Sequence, residues 1–321
     1  MQQQRNGRPP FPAMIKDVSS LEELRRYGPE LGPYRAAGEP SWLGELDLFA
    51  APPYLKMGTH ALDLDRWLIV DDHYQSELAL RARLLDEQSD VVFGARPGSD
   101  HASEEILELV TAWLVAHGVD PPATPDDLHP LERAGRIVQE DLCVMVPTPD
   151  GWRLDAGVLC FPTFWNLHDK LGKLISAVHG PVAHYREDLE VRVDRFFERL
   201  RTDAPVWRRN WGVSPLPLLH LPQTKSSLPW SEHVDDDGEP LWFRSERQTL
   251  RRLPRSGAVL FTIRVQLAPL GVVVAVPGLA ERLLVSLESW DDDEVAYKMG
   301  MPGLRPALLA YLRALVGNRT G

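Results

Sequence analysis

Apolar and polar residues alternate with two different periods along the chain, which predicts a mixture of helices and strands. Apolar side chains three or four positions apart predict helices in SELALRARLLDEQ, from Ser76, and in SEEILELVTAWLVAHG, where Ser103 is the expected N-cap and Gly118 the expected stop. The same spacing recurs in EDLEVRVDRFFERL, PGLAERLLVSLESW and PGLRPALLAYLRALVG. We interpret all five segments as packing elements.

Alternation with period two predicts strands in the middle of the chain. DLCVMVPTPDGWRLDAGVLCFP contains two strand-like runs around a Pro-Asp-Gly turn, which is typical of a hairpin. In LWFRSERQTL, an extended chain directs Arg244 and Glu246 to one side, and in AVLFTIRVQL it directs Arg264 away from the apolar side. Charged groups on central strands either pair with one another or line a cavity, and the pattern leaves both alternatives open. GVVVAV, from Gly271, is interpreted as a further buried strand.

The segment TFWNLHDKLGKLISAVHGP predicts one long helix that ends at Gly180 and Pro181. Leu167, Leu171, Leu174 and Val178 form its apolar face, and a neighbouring stripe carries His168, Gly172 and His179. A glycine inside a helix costs about 1 kcal/mol relative to alanine. Its presence indicates that a flat or bulky group approaches the backbone at this position, or that the helix packs closely on a sheet.

Composition and charge exclude several classes of protein. The 321 residues, with a net charge of −11, contain no dense Lys/Arg run for nucleic acid and no apolar run of membrane-spanning length. Two cysteines exclude a disulfide framework and a four-cysteine iron–sulfur cluster, and they favour a reducing cytoplasm. We expect a disordered leader over residues 1–13 and a single domain over residues 14–321.

The common local motifs of nucleotide, dinucleotide, zinc-protease and serine-hydrolase sites are missing from the sequence. Haem iron, by contrast, needs only one protein ligand, together with an apolar slot and cations for its propionates. The chain offers His179, the aromatic residues of FPTFW, and arginines at positions 208, 209, 244 and 264. A histidine at a helix C-terminus is equally explained by capping.

Four ordered motifs resemble a known family. MGTHALDLDRWLIVDDHY, FPTFWNLHDKLGKLISAVHGPV, RRNW and RSERQTLRRLPRSGAVLFTIRVQLAPL are similar to the haem-dependent oxidative N-demethylase family, also called the HRQ family. The resemblance extends from about Met57 to Leu270 and is weaker beyond. The chain departs from the family pattern HxPVP at Ala183, which leaves His179 in place.

This resemblance implies an α+β fold with a PAS-like antiparallel sheet and surrounding helices. It also implies a b-type haem and a monooxygenase-type reaction in which O2 and reductase electrons remove a methyl group from a small secondary amine such as dimethylamine. The products are the primary amine and formaldehyde. Because the chain shows no flavin, iron–sulfur or NADPH motif, we expect a separate NADPH-dependent flavin/iron–sulfur reductase as partner.

The resemblance also assigns roles to individual residues. It makes His179 the iron ligand, with His168 and His184 as reserves. The other haem contacts that we expect are made by Gly172, Phe161, Trp165, Arg209 and Arg244. A protonated amine requires an acceptor, for which we choose Glu246. Arg244 and Arg264 are expected either to bind the haem propionates or to polarise bound oxygen. An Arg–Glu ladder between strands is the structural alternative for RSERQ.

Two other functions remain open at this point. A PAS-type haem protein can bind O2, NO or CO and signal without turnover, although no output domain or coiled-coil heptad is recognised in the sequence. A haem-free PAS-like domain can bind a small ligand or a protein, in which case His179 is only a packed helix end.

Overall fold

The computed structural model describes residues 40–46, 58–179, 187–214, 216–222, 241–292, 295 and 304–320. Within these ranges, seven strands form one sheet in the order β1-β5-β6-β7-β3-β4-β2, and every neighbouring pair is antiparallel. The expected antiparallel α+β arrangement is therefore confirmed. The strands are β1 His60–Ala61, β2 Phe93–Ala95, β3 Asp141–Thr148, β4 Gly151–Val158, β5 Val206–Ser214, β6 Trp242–Arg252 and β7 Val259–Pro269.

Helices surround this sheet, and most of them lie where the periodicity predicts. They are α1 Tyr74–Glu87, α2 Ser89–Val92, α3 Asp100–Ala116, α4 Pro130–Gly135, α5 Ile175–His179, α6 Glu187–Arg199, α7 Leu270–Ala275, α8 Leu279–Ser289 and α9 Leu304–Thr320. Short 3-10 turns cover Ser41–Glu45 and Leu64–Arg66. No helix in these described ranges is long and apolar enough to cross a membrane.

Outside residues 161–179, two predictions differ from the structure. The helix α3 begins at Asp100, and the hydroxyl of Ser103 donates to the carbonyl of Ser99 at 2.8 Å, so Ser103 is an internal residue and not the N-cap. GVVVAV is not a strand, because Pro269 ends β7 and the valines form α7 against the C-terminal helices. A short apolar run has no clear period, so burial alone could not distinguish the two structures.

The two faces of the sheet have different characters. Directly paired residues of antiparallel strands share a face, so Arg244, Glu246 and Gln248 lie on one face, opposite Leu267, Val265 and Ile263 of β7. We call this the site face. The other face carries Arg209, Arg247 and Arg264, which are aligned across β5, β6 and β7. We call it the ion-pair face.

Carboxylates and carbonyls neutralise the arginine row on the ion-pair face. The guanidinium of Arg264 lies 2.8 Å from carboxylate oxygens of both Asp71 and Glu77, and that of Arg209 lies 2.6 Å from Glu45. Arg247 donates to the carbonyl of Trp67 at 3.0 Å. Burial alone would raise the pKa of Asp71, but Arg264 and Gln139 hold this pKa below its usual value. The structural pairing alternative therefore applies to Arg264.

Packing on the site face comes from α6 and the chain that follows β4. A hydrophobic cluster joins the underside of β3 and β4 to α6 and to Leu167. Gly157 on β4 allows this contact, since a Cβ atom there would lie 2.8 Å from Cδ1 of Leu167. The chain after β4 therefore packs directly on the sheet.

Candidate functional site

Residues 161–174, which we call the site loop, do not form the predicted helix. Only its last predicted turn is helical, as α5, and two residues of the loop have positive φ angles, Phe164 (59°) and Gly172 (79°). The backbone N–H of Gly172 donates to the carbonyl of Leu154 at 2.7 Å, and the N–H of Leu154 donates to Lys173 at 3.1 Å. These bonds to β4 replace the bonds that a helix would have used.

The misleading helical spacing has a simple origin. Leu171 donates its N–H to the carbonyl of Leu167 at 2.8 Å, so one isolated turn brings both leucines against the sheet. Leu171 Cδ2 lies near Gly94 and Leu167 Cδ1 near Gly157, two glycines on neighbouring strands. The four-residue spacing therefore arises because one turn brings both leucines to the sheet, and it does not indicate a continuous helix.

Arg244 fastens the site loop to the sheet. Its guanidinium donates to four carbonyls, those of Phe161 (2.9 Å), Pro162 (3.1 Å), Leu218 (2.7 Å) and Leu219 (2.9 Å). Its Nε also donates to the hydroxyl of Thr163 at 2.7 Å. Buried charges need such partners, and Arg244 is only 2% exposed. Arg244 is therefore a clamp between two segments distant in sequence.

Glu246 lies two residues along the same strand, beside this clamp. Its carboxylate accepts hydrogen bonds from the hydroxyl of Thr163, from Nε2 of Gln248 at 2.9 Å and from Nδ2 of Asn210 at 3.4 Å. Thr163 thus accepts from Arg244 and donates to Glu246, which fixes its hydroxyl. The carboxylate is held in one orientation at the centre of the site face, and the residue is 9% exposed.

An aromatic and cationic pair completes the described site. Trp165 is half-buried in the site loop, and the Nζ atom of Lys170 lies 4.3 Å from the centroid of its indole ring. Burial lowers the pKa of Lys170, while Cys143 and Glu246 oppose this change. Burial also raises the pKa of the Cys143 thiol to about 12, so this cysteine is a neutral packing group at physiological pH.

A comparison with models of known protein families identifies the family of this chain. A family model described as haem-dependent oxidative N-demethylase, alpha subunit-like, matches residues 58–117 and 118–303, which is well over half of the chain. The chain belongs to this family. The matched region contains the site loop, β6 and β7, so the resemblance found in the sequence motifs is confirmed.

Of the residues expected to serve this N-demethylase family, the structure brings together Phe161, Trp165, Arg244 and Glu246 on the site face. It does not bring Arg209 and Arg264 there, because both side chains lie on the ion-pair face with carboxylate partners. A ligand bound at Glu246 is separated from them by the sheet. Phe161 is fully buried beneath Arg81, whose guanidinium lies 5.1 Å from its ring.

The structure describes only part of the three histidines that we expect as iron ligands. His179 is the last residue of α5, and its side chain lies outside the described residues, as does the whole of His184. His168 is exposed on the isolated turn, where its N–H donates to Oδ1 of Asn166 at 2.8 Å. Because the predicted helix is interrupted, His168 and His179 do not share a helical stripe. Their roles as ligands stay predictions.

Sequence reasoning missed two groups at the site and a buried histidine nearby. Thr163 and Asn210 lie in the quoted motifs FPTFW and RRNW, but no spacing rule links them to Glu246. His220 is 2% exposed, and its Nδ1 lies 2.7 Å from the carbonyl of Cys160, so Nδ1 is the donor. Burial lowers the pKa of His220 to about 4, which keeps the imidazole neutral.

Gly172 has a close neighbour, as the sequence indicates, and that neighbour is part of the protein. A Cβ atom on Gly172 would lie 2.7 Å from Nη1 of Arg96, so the flat group against this backbone is a guanidinium. Arg96 also approaches Asp155 at 3.6 Å. These contacts explain the glycine without a cofactor.

Replacing Gly172 with alanine should lower the free energy of unfolding by about 1–2 kcal/mol, because an L-residue is strained at φ 79°. Urea denaturation measures the change. Gly98→Ala, at φ 96° with open space around it, should show the strain alone. Gly44→Ala has neither positive φ nor a close neighbour and should be nearly neutral. Equal effects for Gly172 and Gly44 would contradict the explanation.

Proposed function

We propose that this protein is a haem-dependent enzyme that oxidatively removes a methyl group from a small secondary amine. Membership of the N-demethylase family supports the reaction class. The structural observation that carries the proposal is the carboxylate of Glu246, which three side-chain donors orient on the site face. One of these donors, Thr163, belongs to the same loop as the half-buried Trp165. A fixed carboxylate next to an aromatic ring is suited to an alkylammonium ion.

The described side chains fit a haem in their chemistry. Phe164 and Trp165 are partly exposed in the loop that Thr163 joins to Glu246, and a porphyrin covers apolar surfaces of this kind. Phe164 has a φ angle of 59°, which is rare for a non-glycine residue and typical of functional loops. His179, at the end of the helix that follows the loop, would hold the iron. A b-type haem, held without covalent bonds, is the form we propose.

The haem, when bound, supplies the activation of O2 that a protein side chain cannot provide. The balanced reaction takes one secondary amine, O2, two electrons and two protons, and it gives the primary amine, formaldehyde and water. Glu246 would accept the ammonium proton and hold the nitrogen in one position. Trp165 and Phe164 would exclude water from this side of the methyl group.

The two electrons require a partner, which we propose to be a separate NADPH-dependent reductase that carries flavin and an iron–sulfur cluster. Two observations support this. The chain has only two cysteines, both buried, and the matching family model is described as alpha subunit-like, which implies that the named enzyme has further subunits. We further propose dimethylamine as the first substrate to test.

The proposal is tested with the full-length protein, hemin, a flavin/iron–sulfur reductase, NADPH and dimethylamine in air. We expect a Soret absorption band after hemin is added and formaldehyde release that depends on the amine. Omission of the reductase should stop the release. A Soret band without formaldehyde from dimethylamine, methylethylamine or trimethylamine would contradict the enzyme and favour a haem sensor, whereas absence of the band would contradict every haem function.

A further inference from the structure

Lys170 is the one described cation of the site loop that lies over an aromatic ring instead of against a carboxylate. Its Nζ atom is 4.3 Å from the centroid of Trp165, and it makes no ion pair within 4.0 Å among residues 58–179 and the other described ranges. Its side chain is largely buried, although an ammonium group is costly to bury without a partner. This position therefore stabilises a cation by other means.

Glu246 provides the second part of that stabilisation. The carboxylate attracts the Lys170 ammonium electrostatically, together with Asp169 on the neighbouring position. Thr163, Gln248 and Asn210 orient the carboxylate from the sheet side without neutralising its charge, because all three are uncharged donors. Arg244 also reaches this carboxylate through Thr163, but its guanidinium is held by four main-chain carbonyls. Lys170 is a second cation that Glu246 attracts, and it is the one that lies over a ring.

An aromatic ring and a carboxylate that converge on one cation form the usual recognition site for an alkylammonium ion. We propose that the Lys170 ammonium occupies the ammonium subsite formed by Trp165 and Glu246, and that a substrate alkylammonium binds there by displacing it. The inference rests on the proposed function, because it takes Glu246 as the group that binds the amine. Lys170 is then a specificity-determining residue that acts as an internal competitor.

Two features make such a displacement feasible. The lysine stem has four flexible carbons, so Nζ can leave the ring without movement of the backbone, which Leu167 and β4 hold in place. The ammonium makes no direct hydrogen bond that would have to be broken among the described residues. A neutral molecule gains nothing by this exchange, because it would remove a cation from Glu246 and leave the carboxylate uncompensated.

The test is equilibrium binding of tetramethylammonium to the full-length protein without haem, measured by titration calorimetry. Tetramethylammonium keeps its charge at every pH, so its affinity reports only on the site. Lys170→Met keeps the apolar stem and removes the charge, and we expect it to bind the probe about tenfold more tightly than the natural chain. Lys170→Arg keeps a cation and should leave the binding weak.

The matched control is Lys173→Met, which removes an exposed lysine from the same loop and should leave the affinity unchanged. Adding Glu246→Gln to Lys170→Met should abolish the gain. Lys170→Gln serves as a second charge-free variant, and thermal denaturation shows which of the two keeps the natural fold. An affinity that is unchanged or weaker in the folded charge-free variant would overturn the proposal.

The outcomes separate this inference from the proposed function. The titration uses neither haem nor reductase, so a gain in Lys170→Met supports the internal competitor even where formaldehyde is not formed. If formaldehyde is released but the natural chain and Lys170→Met bind tetramethylammonium equally, only the role of Lys170 as an internal competitor is contradicted. Failure of both experiments contradicts the assignment of Glu246 as the amine site.

Discussion

Replacement of Glu246 by glutamine is expected to lower kcat/KM for amine-dependent formaldehyde release by about 100-fold, or about 2.7 kcal/mol. Glutamine has nearly the same shape but cannot accept a proton from the substrate or pair with its charge. Glutamine also offers one acceptor oxygen where the carboxylate offers two, so it cannot accept from Thr163 on one side and from Gln248 and Asn210 on the other. The measurement is steady-state formaldehyde release at saturating NADPH, with the hemin-loaded protein.

Three comparisons make the result interpretable. Glu288→Gln on the exposed surface of α8 removes the same charge away from the site and should leave the rate unchanged. Glu246→Asp keeps the charge with a shorter reach and should recover part of the activity. The Soret band of Glu246→Gln should match that of the natural chain, since the carboxylate is not assigned to iron. A variant with the natural kcat/KM would show that Glu246 only fastens the site loop.

Replacement of His179 by alanine is expected to remove the iron ligand and with it the Soret band that hemin produces in the natural chain. A haem held by one axial imidazole loses its strongest single bond to the protein when that ring is removed. Hemin affinity should fall by about tenfold or more, and formaldehyde release should become undetectable. Hemin titration followed by absorption spectroscopy measures both the affinity and the position of the band.

His168→Ala and His184→Ala are the matched controls, because each removes an imidazole near His179 in sequence. Both should keep the natural spectrum, and added imidazole should restore a ligand-like band in His179→Ala alone. Should His168→Ala or His184→Ala lose the band instead, the iron ligand is that residue. A natural spectrum in His179→Ala would remove this histidine from the proposal.

Four of the seven strands, β3, β4, β6 and β7, could be predicted because apolar and polar residues alternate along them, whereas β1, β2 and β5 were not predicted. Residues 241–249 read as extended, and β6 places Arg244 and Glu246 on one face as the alternation requires. The Pro-Asp-Gly turn likewise predicts the β3–β4 hairpin, which the structure contains. The amphipathic spacing of α1, α6, α8 and α9 is equally clear, since each helix buries one stripe.

The site loop could not be predicted, because its structure depends on distant partners. Leu167 and Leu171 have helical spacing, yet the N–H of Gly172 bonds to the carbonyl of Leu154 on β4. A rule that uses only neighbouring residues cannot include this partner. The partners of Glu246 come from the loop and from β5, so its hydrogen bonds appear only when the strands are paired. Glu246 could be proposed as the amine acceptor before the fold was known, whereas its hydrogen-bond donors appear only in the fold.

The clamp made by Arg244 has a consequence for how this site can vary among related chains. Four of its hydrogen bonds end on main-chain oxygens, at Phe161, Pro162, Leu218 and Leu219. Every amino acid supplies the same carbonyl, so substitutions at these four positions leave the guanidinium fully satisfied. The clamp therefore fixes the path of the main chain beside Glu246 without selecting the side chains at these positions, which are instead selected by the core in which Phe161, Leu218 and Leu219 are buried.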